Sequence, residues 1–283
     1  MVKGSGVVSG EDLKRMQGIQ LELMSEFDRV CRAHDIKYAI TCGTLLGAIR
    51  HKGFIPWDND ADITMLREEY EKFRRVAGEL DPKVCFFQDH DSDPEYLWGY
   101  GKVRRTGTTF IREGQAHLHC KTGVYIDVMP LDDIPTSTIG QQLNDFKCFC
   151  LRKILWSRVA VANSKQLRWK LISKIPVSTV YKSLNKAARK SSNSNNKPVR
   201  VLTLPSGGKE RNQEYGSGKN AVNLRYGMPK EWFLNLVEYQ FEDRKLFGTK
   251  YYDEYLTSRY GEYMNLPPKE KQVAKDPAVE WEF

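Results

Sequence analysis

The run from Gly43 to Met65, GTLLGAIRHKGFIPWDNDADITM, constrains this chain more than any other stretch of it. It follows a short, apolar, β-prone segment over Ile36–Thr41 and passes through Gly43-Thr44 into a short helical pattern over Leu45–His51. Lys52-Gly53-Phe54 makes a turn, and Ala61–Met65 reads as the next strand, with acidic residues just before and at its start. Side chains alternate along a strand, so Asp60 and Asp62 share a face, about 7 Å apart along the chain, with Asp58 in line before them. Carboxylates so placed can converge on a hard cation such as Mg²⁺ or Mn²⁺, which takes oxygen ligands and shares them with substrate phosphates. Gly43 and Thr44 precede a helix, whose exposed N–H groups and dipole suit a phosphate oxygen. Each half is common by itself, since D-x-D also decorates solvated turns. The combination on consecutive strands, with Arg50 and Lys52 between them, is what is specific.

Around that run the pattern mixes helices and strands irregularly, which predicts an α+β class rather than a regular βαβ array. Glu11–Arg32 is an amphipathic helix with Leu13, Met16, Leu23, Phe27 and Val30 at helical spacing and Ser9 as its cap. The Gly- and Ser-containing residues before it read as a flexible leader. Arg67–Leu80 is a charged helix, Val84–Gln88 a strand, Tyr100–Ile111 a strand or hairpin, and Val124–Met129 a strand ending at Pro130. Further on, Gln141–Val161 and Leu167–Ala188 read as helices, Ser191–Asn196 as a polar loop or disordered run, and Pro229–Phe247 and Tyr251–Tyr260 as helices again.

Charge divides the chain unevenly. The formal net charge is +8, from 44 basic and 36 acidic residues. Between Lys147 and Lys209 there are fifteen Lys and Arg and no Asp or Glu, so the remaining residues carry a net of −7. Such a block points to a phosphate-rich polymer or an anionic membrane surface. Leu151–Arg158 and Leu167–Lys174 interleave Lys and Arg with Leu, Ile and Trp, as helices in a membrane interface do, with Trp156 and Trp169 at headgroup depth. An ordinary helical subdomain with a solvated basic face explains the pattern equally well. No zinc finger, RNP-like run or basic zipper supports nucleic acid. The six cysteines show no C-x-x-C spacing, and the start lacks the apolar run of a secretory signal, so a reduced, cytoplasmic setting is expected. His117, His119 and Cys120 lie close together, but no second cluster is spaced to complete a zinc site.

Gly43–Asp62 resembles the signature of the LicD family, a GTLLG-x-x-R-x-x-G-x-I-P-W-D-D-D-x-D run. Gly123–Asp132 (GVYIDVMPLD) and Tyr260–Pro268 (YGEYMNLPP) are similar to later runs of that family, in the same order. The resemblance covers most of the chain apart from the basic middle, roughly Thr136–Lys219. It implies a nucleotidyltransferase-fold mixed sheet flanked by helices over residues 1–135. A basic helical insertion over 136–219 would serve as an acceptor or membrane surface, and a helical C-terminal part over 220–283 would pack on the core. The activity implied is transfer of phosphocholine, or a related phospho-alcohol, from a CDP-activated donor such as CDP-choline to a hydroxyl of a cell-surface glycan, with release of CMP. Teichoic acid or lipopolysaccharide would be the glycan, lipid-linked and met at the inner face of the membrane.

Under that resemblance Asp60 and Asp62 match the metal-binding pair, and Asp127 the third carboxylate, a shared metal ligand and general base for the acceptor hydroxyl. A turn-capping role at its strand end is the lesser alternative for Asp127. Arg50 and Lys52 are candidates for the donor diphosphate, with surface solvation an even alternative. Lys102 and Arg104 alternate on one strand face and could add a second positive wall. Trp57 could offer a face to choline, although core packing suits it better. Asn59 departs from the family's usual Asp, but in a regular strand it points away from Asp58 and Asp60. Two other readings remain: a nucleotidyltransferase placing NMP on a small molecule, and a non-enzymatic polyanion- or membrane-binding protein.

Overall fold

The computed structural model describes residues 3–160, 166–188, 197–207, 211, 213–217, 221–274 and 277–283. The polar run Ser191–Asn196 lies outside them. The first half of the chain runs β1 (Lys3–Gly6), α1 (Gly10–Ala33), β2 (Ala39–Ile40), α2 (Cys42–Arg50), β3 (Asp62–Leu66), α3 (Arg67–Val76), β4 (Cys85–Gln88), β5 (Gly101–Arg105), β6 (Thr109–Arg112) and β7 (Tyr125–Asp133). Helices α4 (Thr138–Ala160), α5 (Leu167–Ile172) and α6 (Val177–Ala188) follow, then strands β8 (Pro198–Arg200), β9 (Glu214–Tyr215), β10 (Val222–Asn223) and β11 (Met228–Pro229). The chain closes with α7 (Glu231–Leu234), β12 (Leu236–Phe241), β13 (Arg244–Thr249), α8 (Tyr252–Tyr260) and β14 (Ala278–Glu282).

Nine strands form one mixed sheet, in which β7 is the hub. It pairs in parallel with β3 along one edge and antiparallel with β5 and β8 at opposite ends of the other. Beyond β3 the order continues through β2 to β13 and β12. Period-two alternation gives this sheet two unlike faces. Ile63, Met65, Val103, Ile126 and Val128 point into the main core, where Phe27 of α1 and Phe73 of α3 meet with ring centroids 4.6 Å apart. The intervening residues, Asp62, Lys102 and Asp127 among them, face the other way.

β7 runs through Pro130 rather than stopping there. The Asp127 N–H donates to the Ala61 carbonyl just before β3, so alternation turns residue 130 to the opposite edge. On that edge β5 pairs up to Val128 and β8 begins at Asp132, leaving a gap where no N–H is required.

Several sequence-based expectations need correction. The expected helix over Pro229–Phe247 is only the short α7 followed by the hairpin β12–β13, so the C-terminal part is not simply helical. Glu242 takes the left-handed φ of 51° that a two-residue hairpin turn needs. Leu167–Ala188 is two helices, because Pro176 cannot donate to a helical ladder and disfavours helix at Ile175. Tyr100–Ile111 is not a hairpin: β5 joins the large sheet, while β6 joins β14 and β1 in a separate three-stranded one. The leader is that sheet's strand β1, and a Cβ on Gly4 would come within 2.1 Å of the Trp281 ring, so only glycine fits there.

Candidate functional site

The polar face of the sheet carries a row of charge across three strands. Asp62 on β3 lies opposite Asp127 on β7, and Asp127 lies opposite Lys102 on β5. Directly opposed residues share a face, with neighbouring strands about 4.8 Å apart. Asp60 stands two residues ahead of Asp62, and on the same pleat Tyr125 lies opposite Arg104. The structure therefore brings Asp62 and Asp127 side by side, with the charge of Asp60 acting on Asp62. Burial pushes the Asp62 carboxyl well above its ordinary value, and the nearby charges of Asp60 and then Asp127 push it further the same way.

Lys102 balances part of this. Its ammonium is ion-paired to Asp127 and sits 3.3 Å from the Tyr125 ring centroid and 5.5 Å from that of Tyr100. Burial lowers its pKa to about 8, opposed by Asp127. Arg104 shares the face, as its alternation with Lys102 predicts, but its guanidinium donates to the Gln88 side chain and the Gly123 carbonyl (2.8 Å) from behind Tyr125.

Helix α2 begins against the start of β3. The Thr41 N–H donates to the Asp62 carbonyl (3.0 Å), and the Asp62 N–H donates to the Thr44 hydroxyl (2.8 Å), so both main-chain groups of Asp62 are fixed. Thr44 is thus buried as a brace for Asp62. Gly43 lies so near the acidic loop that an added Cβ would stand 2.4 Å from Asp58 Oδ2. From below, α1 clamps the loop through two glutamines. Gln17 donates to the carbonyls of Ile55 (3.2 Å) and Asp58 (2.8 Å), and the buried Gln20 to those of Asn59 (3.0 Å) and Tyr125 (3.3 Å). Asn59 is buried in the loop that precedes β3.

The structure does not bring Arg50 and Lys52 to this face. Arg50 ends α2, a helix length of about 12 Å from Cys42. Its guanidinium donates to the carbonyls of Tyr263 (2.7 Å) and Asn265 (3.2 Å), and burial lowers its pKa. Lys52 is exposed at a left-handed φ of 62°, with its carbonyl taking the Glu242 N–H. Trp57 packs against the main core, edge-on to His51. The sequence reading missed Arg259 on α8, whose charge acts on both Asp62 and Cys42, alongside Tyr255, whose hydroxyl accepts the Cys42 N–H at 3.1 Å. Arg259 stands one residue before the Tyr260–Pro268 run, and that proximity was its only signal.

Among the described residues, no group of three or more His, Cys, Asp or Glu side chains is placed so that it could hold a metal ion as it stands. The donor chemistry nonetheless fits a hard dication. Asp60, Asp62 and Asp127 offer oxygen alone, and their mutual repulsion at Asp62 is what a cation between them would relieve.

Residues 35–144 match the family described as LicD/FKTN/FKRP, nucleotidyltransferase domain, and the whole acidic row lies within the matched residues. Over 272 residues, 92% of its length, the chain is 28% identical to the lipopolysaccharide cholinephosphotransferase LicD of Haemophilus influenzae, covering 94% of that protein. Shorter matches join it to uncharacterized proteins of Rickettsia typhi (42% over 59 residues) and Rickettsia prowazekii (46% over 60), each 21% of this chain and 19% and 23% of the relatives.

Proposed function

We propose that this chain is a transferase of nucleotidyltransferase fold that moves phosphocholine, or a related phospho-alcohol, from a CDP-linked donor to a glycan hydroxyl. The observation that carries the reading is the Asp62–Asp127 register with Asp60 acting on the same carboxyl, in a chain similar along nearly its whole length to a cholinephosphotransferase. In the reaction the acceptor oxygen forms a bond to the choline-bearing phosphorus, and the bond from that phosphorus to CMP breaks. Asp127 takes the hydroxyl proton, and CMP leaves with the electron pair. Asp60, Asp62 and Asp127 would hold Mg²⁺ or Mn²⁺, which supplies charge neutralisation for the phosphates. Lys102 orients Asp127, Arg259 adds positive charge beside Asp62, and the face of Tyr100 suits a quaternary ammonium.

The test is incubation of the protein with CDP-choline labelled in the choline, Mg²⁺ and a lipopolysaccharide or teichoic acid acceptor. Label on the glycan with an equal yield of CMP supports the reading, as does loss of both in Asp62→Asn. Nucleotide rather than choline on the acceptor would replace it with nucleotidyl transfer.

A further inference from the structure

Helix α4 is inside out along one face. Ile139, Leu143 and Phe146 leave 72%, 66% and 67% of their surface exposed, while Gln141 and Ser157 of the same helix are buried. Spacings of four and three place those three residues in one stripe, which Cys150 and Lys153 continue. Helix α5 extends it with Leu167 and Leu171, both more than half exposed, and Lys153 stands between the rings of Phe149 (5.3 Å) and Trp169 (5.7 Å). A soluble surface rarely leaves so many large apolar side chains contiguous without a partner.

The charge around the stripe selects that partner. Lys147, Lys153, Arg168, Lys170 and Lys174 are exposed on or beside it, in a segment that holds fifteen basic residues and no acidic one from Lys147 to Lys209. A second copy of this face would bring like charges together, and a polynucleotide would leave the Leu and Phe side chains unused. We infer that the α4–α5 face docks on an anionic lipid bilayer, with its apolar stripe at acyl depth and its lysines among the headgroups. Among the described residues no helix is long and apolar enough to cross a membrane, so the contact is peripheral.

The consequence for the site follows from continuity. A pocket of about 510 Å³ lined by Trp98, Tyr100, Phe149, Lys153 and Trp156 opens on this face. Tyr100, in its wall, also feels the charge of Asp127. Docking would set this pocket, with Tyr100 in its wall, against the lipid surface. The docking itself stands without the transferase reading, and its test uses no donor or acceptor.

The full chain is sedimented with phosphatidylcholine vesicles with and without phosphatidylglycerol, at low and high salt. Binding is expected only with phosphatidylglycerol and low salt, with a blue shift of tryptophan emission. Lys170→Gln with Lys174→Gln should weaken it about 25-fold, at about fivefold per charge. Leu143→Ser with Phe146→Ser should weaken it about a hundredfold with every charge retained, and the circular dichroism and melting of both should match the parent protein. Asp62→Asn should bind as the parent does. Absence of binding to phosphatidylglycerol vesicles at low salt would overturn the inference. So would unchanged binding by both double variants, or a dimer that Leu143→Ser with Phe146→Ser returns to monomer.

Discussion

Replacing Asp62 by Asn should stabilise the metal-free protein while abolishing transfer. Asp62 is the carboxylate that burial, Asp60 and Asp127 all oppose, with its main chain already fixed by Thr41 and Thr44. An amide of the same shape removes the charge and keeps the packing. Relief of one poorly compensated buried polar group is worth about 1–3 kcal/mol. In a chain of this size that should raise the melting temperature by about 2–8 °C. The sign with pH follows from the raised pKa. Folded Asp62 holds its proton more tightly than unfolded Asp62, so its contribution is fully present below the ordinary value of 3.8 and is lost as pH rises through the folded value. The gain in Asp62→Asn should therefore appear at neutral pH and vanish near pH 4. Differential scanning fluorimetry in EDTA measures it, and added Mg²⁺ supplies the control. Saturation about a hundredfold above Kd adds about 2.7 kcal/mol to the parent protein and little to the variant. A variant that melts below the parent in EDTA, or that gains as much from Mg²⁺, would refute the account of Asp62 as a carboxylate held at a cost for a cation.

Lys102, lowered to about 8 from an ordinary 10.5, binds fewer protons folded than unfolded, so stability should rise with pH between those values; Lys102→Met should flatten that slope in pH-resolved urea melts. Gly43→Ala should displace Asp58 and cost about 1–3 kcal/mol by overpacking, read by thermal melting, with transfer falling alongside. Arg50→Ala should lower stability by about 1.5–3 kcal/mol through loss of the Tyr263 and Asn265 bonds. Once folded, Arg50→Ala should turn over near the parent rate, whereas Arg259→Gln should melt normally and lose kcat.

Which parts of this molecule could be read in advance depended on how local their causes are. The strand–helix–strand run holding Asp60 and Asp62 could be read, because its alternation, glycines and turn residues act within a few positions. The β12–β13 hairpin was hidden: Phe233, Val237 and Phe241 recur at four-residue spacing and imitate a helix, and only pairing of β13 with the distant β2 decides for strand. Arg50 sits between two site motifs in sequence, yet lies at the far end of α2 from the carboxylates. Arg259 reaches Asp62 only because α8 packs against α2 some 200 residues from the acidic loop, a contact that no local pattern encodes.

The glutamine clamp has a consequence for how such a site can change. Gln17 and Gln20 hold the acidic loop by its carbonyls at residues 55, 58 and 59, so helix α1 grips its course through the main chain. A loop gripped by its backbone can exchange the residues it displays without redrawing its course. A single substitution on the exposed side of the loop can therefore alter the charge of the site while the grip from α1 stays in place.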